Sequence, residues 1–489
     1  MAKDNSFIIE FDKFYQGASP AAHLDNLTEL GNSGQYSTAV NIDIISNPNV
    51  LTQGPALANL TNGTQDGVVS ELINYILDEA VASDVTFAVG ATKLFKLSSS
   101  TVISGGSPSW PVTITNATDG ESCIELGGNL YTFYNKSSGG DISKYDLSIT
   151  LDHDWGSTVP TGAVALQSAL HPIAKKEDIM VFGNGRYLGV YTNDNTTINV
   201  TKLDFGANTE VADVLFHANQ WWIAVNSGIS GTNRNTGRIF VYDGSATSNL
   251  LSDETGIGPN KIGFLYVLNG IVYVVYQDLS FSGGYIIGYI FGRQIYPLAY
   301  FTGSLPGYNQ KTLYKNTILF LASGLIYSVG SIIPAKLPNQ ISQLADGGYT
   351  TCGAIAAPFG IPMITSSDGG GNFRLAKFSG YDTACSWKSA VVPIAKGNLL
   401  GQIDEVTVLT KTLGANARCD LQLEYNQNSS NSGIVKQITG TGQRRFIFHN
   451  FGGLVEDLRL FLDWSNGSVT NDCPIRRVRI EGHYAERLN

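Results

Sequence analysis

Three places along the 489-residue chain gather side chains that could do chemistry. The densest is Asp152-His153-Asp154-Trp155, two carboxylates around an imidazole. Hard divalent cations take carboxylate oxygens, so a Ca2+ site is one reading. On a strand, however, Asp152 and Asp154 share a face and His153 points away. An exposed loop is therefore the plainer expectation. Trp221-Trp222 puts one indole on each face of a strand: one for the core, the other for core or subunit packing or for stacking on a sugar ring. Arg476-Arg477-Val478-Arg479 is the basic run, with Arg477 and Arg479 on one face and Arg476 on the other. The residues after 400 carry 10 basic and 10 acidic side chains, so pairing with carboxylates, within the fold or at an interface, fits this run better than DNA contact.

A fourth motif, Ser366-Ser367-Asp368-Gly369-Gly370-Gly371-Asn372-Phe373, resembles a sialidase Asp box, with Asn372 and Phe373 in place of Thr and Trp. The Asp of such a box ties backbone amides in a hairpin and is not catalytic. The five Cys, at 123, 352, 385, 419 and 473, are widely spaced and read as buried free thiols. The 41 acids offer no spacing that selects a glycosidase pair. No catalytic, cofactor-binding or metal-ligating residue is assigned, and a non-enzymatic protein is expected.

The elements that must position these residues are legible from composition. Only 15% of residues are charged, while Gly numbers 54, Tyr 23 and Phe 22. Such a chain reads as all-β with many turns. A net charge of −10 argues against general nucleic-acid binding. No apolar run approaches the ~18 residues of a membrane helix, and no secretion signal or membrane anchor is expected. Between about 82 and 390 one unit recurs: an apolar strand, a Gly or Asn turn, a second apolar strand. The turns fall near 90, 128, 184, 219, 269, 316 and 359, a mean step of about 45 residues. That is the repeat of a four-stranded propeller blade, so residues 82–390 are expected to form a six- or seven-bladed β-propeller-like domain. A pair of large sandwiches is the competing fold. Residues 1–81 read as an extended N-terminal arm with one short helix, because Leu72, Ile73, Ile76, Leu77 and Ala80 recur at helical spacing. Residues 391–489 hold alternating strands such as Arg418 to Tyr425 and Asp457 to Trp464, the pattern of a jelly-roll-like β-sandwich.

The layout resembles tailed-bacteriophage β-propeller virion proteins, of the tail nozzle or hub kind. Three features carry the resemblance: Ala39-Val40-Asn41-Ile42-Asp43 followed by Val50-Leu51-Thr52-Gln53-Gly54-Pro55; the strand pair from Val85 to Leu97; and a terminal sandwich ending in a strand from Ile475 to Tyr484. In that family an Asn-Val-Asp strand precedes a Gly-x-Leu turn, whereas here Asn49-Val50-Leu51 stands in place of the Gly. The resemblance implies a structural component of the virion tail without cofactor. It would form a homo-oligomeric ring beside other tail proteins, around a channel that genomic DNA passes without sequence-specific binding. The alternatives are a glycan-binding receptor or fibre protein that takes a host surface glycan, and a propeller glycosidase.

Overall fold

The computed structural model describes all residues except 1–5, 15–16, 19–34, 48, 63–64, 67, 83, 159–165, 194–197, 229–234, 245–252, 257–260, 279–283, 331–337, 345–348, 427–433 and 487–489. The Gly31-Asn32-Ser33-Gly34 stretch of the expected arm lies outside the described residues. The fold is all-β. Seven sheets of four or five strands follow one another in chain order from residue 73 to 379. Each runs antiparallel from strand to strand, and the turns explain why. Asn269 and Gly270 hold φ of 50° and 77° between Ile262–Leu268 and Ile271–Asp278. Two successive positive φ angles give the hairpin a twist that matches its strands, and Asn-Gly reaches them at little cost.

Both faces of these sheets are apolar, and each sheet packs on the next. Phe87, Val89 and Leu94 of the first sheet meet Cys123, Leu130 and Tyr134 of the second. Phe133 then packs on Phe182 of the third at 4.8 Å between ring centroids. The series continues to Leu319 and Leu321 of the sixth sheet against Ile355 and Ile364 of the seventh. A further cluster joins the seventh sheet to the first, with Ala354, Met363 and Leu375 against Ile73, Ile76 and Phe95.

The expected helix is absent: Ile73–Ile76 is the leading strand of the first sheet. Its register slips between Ile73 and Tyr75 against Gly90 and Val89. The extra residue of such a bulge turns Ile73 and Ile76, three apart, onto the same cluster. That imitates the spacing of a helical face. Among the described residues the α-helix is a single turn, Trp155–Thr158.

Two larger sheets hold the end of the chain. In one, Leu399–Thr410 lies between Ile475–Glu486 and Arg445–His449, and Ser6–Phe11 pairs along Ile475–Glu486, Ile9 opposite Ile480. In the other, Arg418–Tyr425, Asp457–Asp463, Ser386–Ser389 and Gln35–Val40 lie side by side. One core fills the space between, with Phe7, Ile9, Val406 and Ile480 from the first sheet and Trp387, Leu421, Leu460 and Leu462 from the second. Trp387 is ringed by Phe11, Phe14 and Tyr36, so residues of the expected arm are core residues. Ala56–Asn59 goes elsewhere, as the outer strand beside Phe373–Ser379 of the seventh sheet. The N-terminal segment thus completes three separate sheets.

Candidate functional site

The leading strand of each small sheet carries the polar residues that matter. Six of the seven leading strands, or residues just beyond them, line one cavity of about 270 Å³ that also takes in the Tyr308-Asn309 loop. Around it stand Asp78, Asp213 and Lys311, with Tyr75, Tyr266 and Tyr308. These side chains come from the first, fourth, fifth and sixth sheets and the loop before the sixth.

Each charge has a defined partner set. The Lys311 ammonium is ion-paired with Asp213 and donates to the Leu265 carbonyl at 2.6 Å. Asp213 also accepts from the amides of Val214 (2.9 Å) and Leu265 (2.7 Å). Burial pushes Asp213 up and Lys311 down, while their mutual attraction opposes both shifts. Asp78 accepts from the Thr312 hydroxyl, 2.8 Å from either carboxylate oxygen, and from the Ala357 amide at 2.6 Å. Loss of water outweighs those bonds and pushes Asp78 up to about 6.

The loop from Gly303 to Gln310 crosses between sheets. Tyr308 donates to the Glu121 carbonyl at 2.8 Å, with the Glu121 carboxylate 3.0 Å away, and stacks obliquely near Tyr75. Asn309 donates to the Asn74 carbonyl at 2.6 Å. Tyr308 also lines a second cavity, with Asn226, Lys261 and Gln277, and so forms a wall common to both. Glu121 accepts from Asn135 at 2.8 Å, and burial pushes it up to about 7. Gly263 fits here because a Cβ would stand 2.1 Å from the Pro306 carbonyl oxygen.

The residues singled out by spacing lie elsewhere. Trp221 is buried against Phe216, ring centroids 4.8 Å apart. Trp222 is half-buried on the cluster between the fourth and fifth sheets, its indole N–H enclosed without a hydrogen-bond partner. A more open aromatic surface is the outer hairpin of the fifth sheet, where Phe291 is 74% exposed, Tyr300 60% and Tyr296 39%. Arg477 and Arg479 face Glu10 of Ser6–Phe11 at 3.9 and 3.8 Å, and Arg479 also pairs with Glu481 at 2.8 Å. Arg476 is exposed on the other side.

The Asp152–Asp154 cluster begins the helical turn. The Asp154 carbonyl accepts from Ser157 and Thr158, and the His153 carbonyl accepts from Tyr134 at 2.7 Å. Among the described residues no three His, Cys, Asp or Glu side chains converge as metal ligands would. Asp368 accepts from the amides of Gly370 (2.7 Å) and Asn372 (3.1 Å), tying the hairpin between Met363–Ser367 and Phe373–Ser379. The five cysteines are free thiols, and burial raises their pKa values.

Sequence reasoning missed Asp78, Asp213 and Lys311. One signal was present: Asp213 interrupts the apolar run Val211-Ala212-Asp213-Val214-Leu215. A charge there is buried whichever face it takes.

No protein family matches the chain, and no curated protein does. Among solved structures, the chain is similar to the computationally designed Ika8 protein (14% identity, 66% of this chain, 100% of that one, TM-score 0.38). It is similar to an exo-β-1,3-galactanase from Phanerochaete chrysosporium (12%, 88% of this chain, 100% of that one, 0.29). A third is the aldose sugar dehydrogenase from Streptomyces coelicolor (9%, 66% of this chain, 97% of that one, 0.37). The three differ in what they do, and the likeness carries no functional argument.

Proposed function

We propose that the chain is a non-enzymatic structural part of a bacteriophage tail, nozzle- or hub-like, that assembles as a homo-oligomeric ring around the DNA exit channel of the virion. In this reading the seven successive sheets are the blades of a seven-bladed β-propeller. The two sheets that share one core are a C-terminal β-sandwich of the jelly-roll kind.

The observation that carries the reading is the binding-in of the N-terminal segment. Ser6–Phe11, Gln35–Val40 and Ala56–Asn59 each complete a sheet made from the far end of the chain. Segments hundreds of residues apart are then held in one body, which suits a part that must keep its shape among neighbours. The chemistry points the same way, since Asp213 and Lys311 hold bonds between sheets and Glu121 holds the loop before the sixth sheet. The surplus of acids repels phosphate, so a channel through such a ring would pass DNA without retaining it.

Light scattering of the purified protein, followed by negative-stain imaging, tests this. Rings or tubes with a central hole are expected. A strict monomer that binds immobilised glycans would replace the reading with the second one, a glycan-binding receptor or fibre protein. That second reading is favoured by the exposed Phe291, Tyr296 and Tyr300, aromatic faces of the kind on which sugar rings stack.

A further inference from the structure

The cavity among the leading strands holds a carboxylate that its surroundings do not neutralise. Two carboxylates, Asp78 and Asp213, line it against one ammonium, Lys311, and that ammonium is bound to Asp213. Asp78 has only the Thr312 hydroxyl, shared between its two oxygens, and the Ala357 amide. Lys311 also attracts Asp78, but its ammonium is held by Asp213, and the like charge of Glu79 opposes that attraction. Glu79 is paired with Lys175, and Lys176 lies over the Phe216 ring at 4.8 Å. Asp78 is exposed to solvent where it lines the cavity, so a cation entering there can reach its carboxylate.

Two phenols complete the setting. Tyr75 and Tyr266 line the same cavity, and Asp78 is close enough to act electrostatically on both hydroxyls. Among the described residues neither hydroxyl has a hydrogen-bond partner. Ile76, Ile173, Leu215 and Ile355 supply apolar wall.

We propose that this cavity binds a small organic cation, a primary ammonium on a compact apolar body, with Asp78 as its counter-ion and Tyr75 and Tyr266 as hydroxyl acceptors and ring faces. An ammonium supplies the missing charge, donates the hydrogen bonds that the phenol oxygens and the Asp78 carboxylate can accept, and is attracted to aromatic faces. A bare metal ion fits less well, because Ca2+ demands six to eight oxygens around it. The site is independent of the assembly reading.

Calorimetric titration of the full chain tests the proposal, with benzylammonium as probe, benzyl alcohol as its neutral counterpart and potassium as a bare cation. The ammonium is expected to bind at least about tenfold tighter than the alcohol, a 1.4 kcal/mol difference in standard terms. Potassium should give no binding heat. At pH 6, binding should release about half a proton, read from buffers of different ionisation heat. Asp78→Asn should lose the proton release and about tenfold in affinity. Should that variant fail to fold, Tyr266→Phe keeps the Asp78 contacts and is expected to weaken binding about threefold. Equal affinity for the alcohol overturns the proposal, as does absence of ammonium binding or an affinity indifferent to both variants.

Discussion

Glu121 is a buried acid held between an amide and a phenol, and its protonation feeds directly into stability. Its folded pKa of about 7 lies above the ordinary 4.5. Between those values the folded state binds more proton than the unfolded chain, so stability falls as pH rises through that window. That rise corresponds to about 3 kcal/mol, with loss of water as the main cause. Glu121→Gln keeps an acceptor for Asn135 and removes the titration. Urea unfolding at pH 5 and pH 8 should therefore show a smaller loss in the variant than in the natural chain, by about that amount. An identical pH slope in both would refute it. Asp78 and Asp472, raised to about 6 and 7, act in the same direction. His171 acts oppositely: burial holds it down to about 4, so stability is lost as pH falls below its ordinary 6.5 towards 4. None of these residues stood out along the chain. Asp78, Asp213 and Lys311 are over two hundred residues apart at the extremes and come together only through packing of successive sheets. Local spacing cannot report that.

At the level of single elements, Ser6–Phe11 shows how strictly alternation assigns faces. Phe7, Ile9 and Phe11 enter the shared core, while Ile8 between them is 55% exposed. Ile9→Ala should cost about 3 kcal/mol, the usual penalty for emptying a well-packed core position. Ile8→Ala should change stability by less than about 0.5 kcal/mol. Chemical unfolding of the two variants measures the contrast, and comparable losses would mean that the strand does not sit as described. Elements of this kind were the legible part of the fold. Leu421, Leu423 and Tyr425 of Arg418–Tyr425 and Val478 and Ile480 of Ile475–Glu486 enter the shared core, as their spacing along a strand predicts, and the Asn269-Gly270 turn lies where its two residues predict it. Ile73–Ile76 was not legible. A bulge gives a strand the spacing of a helix, and only its partner Thr86–Gly90 distinguishes the two.

For the molecule as a whole, the decisive contact is the cluster between the seventh sheet and the first. Leu375 is fully buried there, with Ile73, Ala88 and Phe95 in the same cluster. Leu375→Ala should destabilise by about 3 kcal/mol. It should also lower hydrogen-exchange protection in Thr86–Gly90 as well as in Met363–Ser367, because the two sheets share that core. Protection lost from the seventh sheet alone would show that the first does not depend on it. The seven-fold series of interfaces was foreshadowed by the mean step of about 45 residues between turns. The destination of the N-terminal strands was not, since nothing in Ser6–Phe11 names its partner hundreds of residues away.

That pairing has a consequence for how the protein is made. Ser6 lies opposite His483, and Ala56–Asn59 lies beside a strand that ends at Ser379. Ser6–Phe11 therefore has no partner until Ile475–Glu486 has been made, and Ala56–Asn59 has none until Phe373–Ser379 has. At ~5–20 residues per second, Ser6–Phe11 waits roughly 25–95 seconds for its neighbour. During that interval Phe7, Ile9 and Phe11 are apolar, extended and uncovered, the kind of segment that seeks any open sheet edge. A newborn chain that is crowded by its siblings has a ready route to the wrong partner: the finished Ile475–Glu486 of an older copy.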